Sequence, residues 1–204
     1  MKSILLTMEN LYKKRSKSHS LTARLTIGAI FTALIAILAQ FAVPLPFSPV
    51  PVTGQTIGII LAALLLDKRT AVISVLAYLL LGAAGAPVFS MARGGLYMIT
   101  GPTGGYLWGF LPAAYLASKI SKNSLGYSIH KAALGAIAAM AVIYFCGSLQ
   151  LALIMGYTPL QVILVGVMPF LAADLIKSGF AVFLGLQICK SLERNKLDHL
   201  IRGS

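Results

Sequence analysis

Asp174 and Lys177 stand three residues apart inside an apolar run, and Arg93 stands in an apolar connection between two other runs. The other Lys and Arg, of seventeen in all, fall in short polar stretches beside or between apolar ones. Ionisable groups at membrane depth are costly and usually functional. On a helix, residues three apart share a face. Arg93 is suited to grip a carboxylate through two parallel hydrogen bonds, and Lys177 to act as a point charge. An ionised Asp174 would accept hydrogen bonds from ligand N–H groups. Two cations and one anion leave a net charge of +1, which an anionic ligand would balance. The competing reading is that Asp174 and Lys177 are a mutually neutralising pair that only fixes helix packing. Thr53, Gln55, Tyr97, Thr100, Thr103, Tyr106, Tyr144 and Gln150 are the polar residues near enough in sequence to help. Each alone reads more readily as a packing or interface residue than as a ligand contact.

The elements that must position these groups are apolar helices. The 204 residues are 58% hydrophobic and 11% charged, with a mean hydropathy of +0.86. A soluble domain has about 25% charged residues, so the composition is that of an integral membrane protein. Six apolar segments are expected to cross: Leu25 to Val43, Thr56 to Leu66, Thr70 to Ala86, Gly104 to Ser118, Ala132 to Ile154, and about Gly166 to Cys189. The second and fourth are short, which is tolerable where their ends are buried in protein. The second could begin at Pro51, since proline suits a first helical position. The fold class is therefore all-α, with six transmembrane helices. Placing the basic flanks inside puts both termini, the 67–69 turn and the 119–131 loop in the cytoplasm.

The chain divides into a cytoplasmic extension over 1–23, a membrane domain over 24–190 and a cytoplasmic tail over 191–204. The extension is expected to lie on the membrane surface as a short amphipathic helix. It does not read as a signal peptide, because the apolar stretch from Ile4 to Leu6 is too short and precedes the basic cluster. The net charge of +12 sits at helix flanks, where it sets topology and meets anionic lipid. Nucleic acid is therefore not an expected partner.

Three connections face outward: 44–50, 87–103 and about 155–165. None carries Asp or Glu. Pro44, Pro46, Pro49 and Pro51 are expected to hold the first in extended polyproline geometry. The second contains Pro87, Val88, Phe89, Met91, Leu96, Tyr97, Met98 and Ile99. A long apolar loop is usually functional, and this one is expected to fold back as a lid over the outer end of the bundle. Near the start of the sixth segment, Pro169 is expected to loosen the turn above Asp174. With Gly166 as the entry, Asp174 would lie about 12 Å and Lys177 about 16 Å down the helix at 1.5 Å per residue.

On the first segment, Ala29 and Ala33 are four apart and flanked by Gly28, Thr32 and Ala36. Small residues at this spacing permit close helix approach, either within the bundle or onto another membrane subunit. Cys146 and Cys189 read as packing residues. His19, His130 and His199 fall in cytoplasmic segments without ligand spacing, so neither a metal nor a cofactor is expected. No P-loop motif occurs, so the chain does not energise transport by its own ATPase. An intramembrane enzyme would want a nucleophile–base pair, a metal cluster or paired carboxylates; one intramembrane acid and no intramembrane histidine argue against it. A proton-coupled carrier using Asp174 as relay is a further reading.

Pro49-Val-Pro-Val-Thr-Gly-Gln-Thr56, Gly85-Ala-Pro-Val-Phe89, Gly101-Pro-Thr-Gly-Gly-Tyr106 and the Asp174/Lys177 pair together resemble the BioY family. Its members are biotin-binding S-components of energy-coupling-factor (ECF) transporters. The likeness covers about residues 25–190. Gly54 stands where the resemblance leads one to expect a bulkier apolar residue. The resemblance implies an S-component fold in a prokaryotic cell membrane, with biotin held near the outer face. It assigns the ligand-contacting charges to Arg93, Asp174 and Lys177; beside them Gln55, Tyr97, Gly101, Tyr106 and Tyr144 are the further candidate substrate contacts. It also implies that Ala29 and Ala33 dock a transmembrane coupling protein, and that two cytoplasmic ATPases complete the complex. Biotin's carboxylate, apolar bicycle and ureido N–H groups would match the cations, the apolar loop and Asp174. Another small vitamin on the same fold is the alternative.

Overall fold

The computed structural model describes the backbone of residues 2–121 and 128–195, and the side chains of 21–121 and 128–195. Part of the 119–131 loop, most of the 191–204 tail, and the side chains of the 1–23 extension up to residue 20 (with His19 and His199) lie outside the described residues. The backbone order is α1 (Lys2–Gln40), β1 (Ala42–Leu45), β2 (Ser48–Thr53), α2 (Gln55–Leu65) and α3 (Lys68–Ala83). A 3-10 turn over Ser90–Ala92 follows, then α4 (Leu96–Thr100), α5 (Gly104–Ser121), α6 (Ile129–Met155), α7 (Pro159–Gly166) and α8 (Met168–Arg194).

Hydrophobicity is turned outward as well as inward. Phe145 is 71% and Ile176 74% exposed, which water would penalise and hydrocarbon would not. This belt marks a membrane protein. Three helical stretches are long and apolar enough to cross a bilayer by themselves: Leu21–Gln40, Ile129–Met155 and Met168–Arg194. The short helix α2 is instead the hub. Every residue of it but Ile57 is buried, between α1, α5 and α8. Its length is tolerable because protein, not lipid, surrounds it.

Local chemistry explains several boundaries. Asp67 caps α3, its carboxylate accepting from the Arg69 and Thr70 amides at 3.0 and 3.2 Å. The α7 helix is an addition to the expected design, which left 155–165 as a loop. Thr158 and Gln161 form a capping box with Pro159 in the first turn, the arrangement that starts a helix. Pro169 lies in the first turn of α8, not within it, so it starts that helix instead of loosening it. From Met168, Asp174 lies about 9 Å along the axis.

The all-α expectation needs one correction. Residues 42–53 form an antiparallel two-stranded ribbon pairing Ala42 with Thr53, Val43 with Val52 and Leu45 with Ser48. The register slips between Val43 and Leu45, at Pro44, which has no N–H for the ladder. With two strands there are only edges, where prolines are tolerated. The ribbon is anchored by Ser48 Oγ, which donates to the Val165 carbonyl at 2.6 Å. Its exit at Gly54 passes so close to α1 that an added Cβ would lie 2.7 Å from the Leu38 carbonyl oxygen. A bulkier residue there would force the two elements apart, which accounts for the glycine.

The first helix divides its small residues. Gly28 and Thr32 face α3, where Thr32 Oγ1 donates to the Ser74 carbonyl at 2.9 Å. Ala29 and Ala33 remain exposed. The expected small-residue face is thus two faces, one spent inside the bundle and one left open.

Candidate functional site

A cavity opens at the end of the bundle where the ribbon, the 87–103 connection and the starts of α2, α5 and α8 meet. Its space, with the open solvent at the mouth included, is about 730 Å³. Arg93, Asp174 and Lys177 all line it, as do Gln55, Tyr106 and Tyr144. Pro49, Val50, Pro51, Phe89, Phe110 and Phe170 supply apolar wall.

Asp174 is buried on the inner face of α8, at helical spacing from Phe170 and Ser178. It is doubly held. Lys177 pairs with Oδ1, and the Tyr144 hydroxyl on α6 donates to Oδ2 at 2.6 Å. A carboxylate has about four acceptor positions, so each oxygen keeps one for a further donor. Lys177 also donates to the Thr53 carbonyl at 2.7 Å, tying α8 to the end of β2. Among the described residues, Arg93 has no acidic partner. It is exposed at the rim, so the positive charge stands at the mouth and the neutralised pair lies below.

The other expected contacts divide. Gln55 is buried; it accepts from the Thr53 hydroxyl at 2.9 Å and donates to the buried Tyr78 hydroxyl. Tyr106 reaches across to donate to the Gly166 carbonyl at 2.8 Å. Tyr97 is 61% exposed and does not line the cavity. The α4 turn buries Met98 and Ile99, which leaves Tyr97 pointing away. Gly101 also lies off the cavity; its carbonyl accepts from Gln150 Nε2 at 2.8 Å, a contact that joins α6 to the α4–α5 corner. Thr56, in the first turn of α2, is a lining residue with no signal of its own in the sequence. Its hydroxyl is buried with no partner among the described residues, in a wall of the cavity.

The 87–103 connection does fold back over the bundle. Phe89 is fully buried and meets Tyr78 edge to face at 5.4 Å. Its ring fills the space a side chain at Gly82 would need, since an added Cβ would lie 2.1 Å from Cζ. Two residues later the chain enters the left-handed region at Met91 (φ 61°) and Ala92 (φ 53°). Neither is glycine, and each such residue costs about 1–2 kcal/mol. The Phe89 amide donates to the Arg93 carbonyl at 2.9 Å, closing the turn. Replacing Gly82 with Ala is expected to push Phe89 out of its seat. Overpacking costs about 1–3 kcal/mol, so the thermal midpoint in detergent should fall by roughly 2–10 °C for a chain of this size. An unchanged midpoint would mean that the lid is not anchored there.

Buried polar groups converging in an apolar cavity, on a helical scaffold with an apolar belt, define a membrane protein that binds a small molecule. Comparison with known proteins narrows the class. The sequence profile of the BioY family matches residues 8–194. The chain belongs to the BioY family. It is 36% identical to the biotin transporter BioY of Thermotoga maritima over 80% of this chain and 94% of that protein. It is 35% identical to the biotin transporter BioY of Rhizobium etli over 80% and 91%. A crystal structure of the S-component for biotin from an ECF-type ABC transporter superposes with a TM-score of 0.77 at 27% identity, covering 84% of this chain and 93% of that one.

Proposed function

We propose that this chain captures biotin with high affinity, as the substrate-specific subunit of an ECF-type importer in a prokaryotic cell membrane. The observation that carries this reading is the division of charge in the cavity. A rim cation with no acidic partner among the described residues stands above a held carboxylate that has acceptor positions to spare. Biotin offers a carboxylate at one end and ureido N–H groups at the other. Arg93 meets the first and Asp174 the second, with Lys177, Gln55, Tyr106 and Tyr144 around them and apolar wall between. The relatives, which are named as transporters, support the substrate.

Residues 24–190 are the membrane domain in this reading. Helices α1, α2, α3, α5, α6 and α8 are the six spans, with the basic ends and turns inside and the cavity outside. Ala29 and Ala33 dock a transmembrane coupling protein, and two cytoplasmic ATPases supply energy. Calorimetric titration of the purified protein with a vitamin panel tests the substrate: tight binding of biotin alone is expected. Binding of a different vitamin in preference to biotin overturns it. Thr56→Val is expected to weaken biotin binding by about tenfold, by removing one neutral hydrogen bond. Ala33→Trp is expected to leave the biotin titration unchanged and abolish co-purification of the coupling protein, because its bulk closes the approach that Ala29 and Ala33 open.

A further inference from the structure

The left-handed turn at Met91 and Ala92 is held from outside its own segment. Gln40, the last residue of α1, applies both ends of its carboxamide to it. Oε1 accepts from the Ala92 amide at 2.9 Å. Nε2 donates to the Phe89 carbonyl at 3.3 Å and to the Val88 carbonyl at 3.4 Å. The same nitrogen reaches back to the Ala36 carbonyl at 2.9 Å, which fixes the side chain on the end of its own helix. Below the turn, Phe89 is locked against Tyr78. Arg93 is the next residue after Ala92, and it lines the cavity with Phe89 and Ser90. A non-glycine turn in this conformation persists only where its surroundings over-determine it.

We propose that Gln40 is a positioning residue: it latches the Met91–Ala92 turn and thereby aims Arg93 at the ligand carboxylate. Gln40 does not line the cavity, so its action runs through Arg93. The proposal rests on the biotin reading above. When the latch is absent, the turn relaxes to ordinary backbone geometry and Arg93 leaves the rim. Ligand escape then quickens, while entry is little altered.

The test uses the full chain in detergent and an isosteric variant, Gln40→Met, which keeps the packing and removes the hydrogen bonds. Radiolabelled biotin should dissociate about 10–30 times faster from it than from the parent. In an Arg93→Ala background the same substitution should change the dissociation rate less than twofold, because the group it positions is already gone. Adding Ala92→Gly to Gln40→Met should recover much of the lost residence time, since glycine adopts the left-handed conformation without the latch. A merely structural role would lower the thermal midpoint in both backgrounds and leave no Arg93 dependence, and that result overturns the proposal. So does a Gln40→Met protein with the parent's dissociation rate. If Gln40→Met does not fold, Ala92→Gly in the parent serves: its apo protein should gain thermal stability from relief of strain, and unchanged or lower stability overturns the proposal. Failure of the parent itself to bind biotin would defeat the underlying function instead.

Discussion

An Asp174→Ala variant is expected to lose biotin binding by more than 100-fold and to lose much of its thermal stability at the same time. The two losses have different origins. Asp174 is the partner of Lys177 and of the Tyr144 hydroxyl. Removing it strands a half-buried ammonium and a hydroxyl, and breaking one side of a buried pair costs about 3–5 kcal/mol. The affinity loss follows from the missing acceptor for the ureido N–H groups. A double substitution separates them. Asp174→Leu with Lys177→Met replaces the pair by apolar groups of similar volume, which is often neutral or stabilising. The double variant should recover the parent's thermal midpoint and still fail to bind biotin in calorimetry. If it binds with parental affinity, the pair serves only to pack α8, and the site model fails. Tyr144→Phe should fall between these extremes, because it removes one donor and leaves the ion pair.

This arrangement explains why a charged pair persists in an apolar helix. Its net contribution to stability is small, yet it sets a carboxylate in a fixed rotamer facing the cavity. Lys177 holds one oxygen and Tyr144 the other, from two different helices. Lys177 in turn grips the Thr53 carbonyl at the end of the ribbon. Ribbon, α6 and α8 are thereby joined at the carboxylate. Ligand contact with Asp174 would be felt by three elements at once.

The sequence made the long features legible and hid the tertiary ones. Apolar runs and their basic flanks placed α2, α5, α6 and α8 within a few residues, because charge and composition change abruptly at their ends. The Arg93, Asp174 and Lys177 set was visible because charge is rare in such a chain. The ribbon was hidden: four prolines read as an unpaired extended loop, and nothing local says that two such edges will pair. The α7 helix has a readable start in Thr158-Pro-Leu-Gln161, but the short apolar stretch after it looks like a connection between spans. The first apolar run extends to Val43, whereas the helix stops at Gln40 and the ribbon begins at Ala42; hydrophobicity alone does not separate the two. Tyr97 and Gly101 stand in or near a distinctive motif, which suggests ligand contact, yet neither lines the cavity. Which way a lid residue turns depends on what it packs on, and Met98 and Ile99 took the inward positions. Gln40 and Thr56 carry no local signal for the same reason. A lone amide at a helix end and a threonine in a helical first turn acquire meaning only from neighbours far along the chain.

Arg93→Ala is expected to behave in the opposite manner to Asp174→Ala. Arg93 is exposed and has no acidic partner among the described residues, so the apo protein should keep its thermal midpoint. Affinity for biotin should fall by about 10–100-fold, since a hydrogen bond to a charged group contributes about 1.5–3 kcal/mol. The neutral methyl ester of biotin isolates the cause. It should bind the parent protein about as weakly as biotin binds the variant, and it should lose little further affinity in the variant. Arg93→Lys should give an intermediate value, because an ammonium keeps the charge and loses the two-pronged geometry. Raising the salt concentration should weaken biotin binding to the parent more than to Arg93→Ala, since a charge at an open rim is screened. Equal losses for biotin and its ester would place Arg93 against some other part of the ligand. The two predictions together divide the site by depth: a rim cation that acts on affinity alone, and a held carboxylate whose loss the whole fold feels.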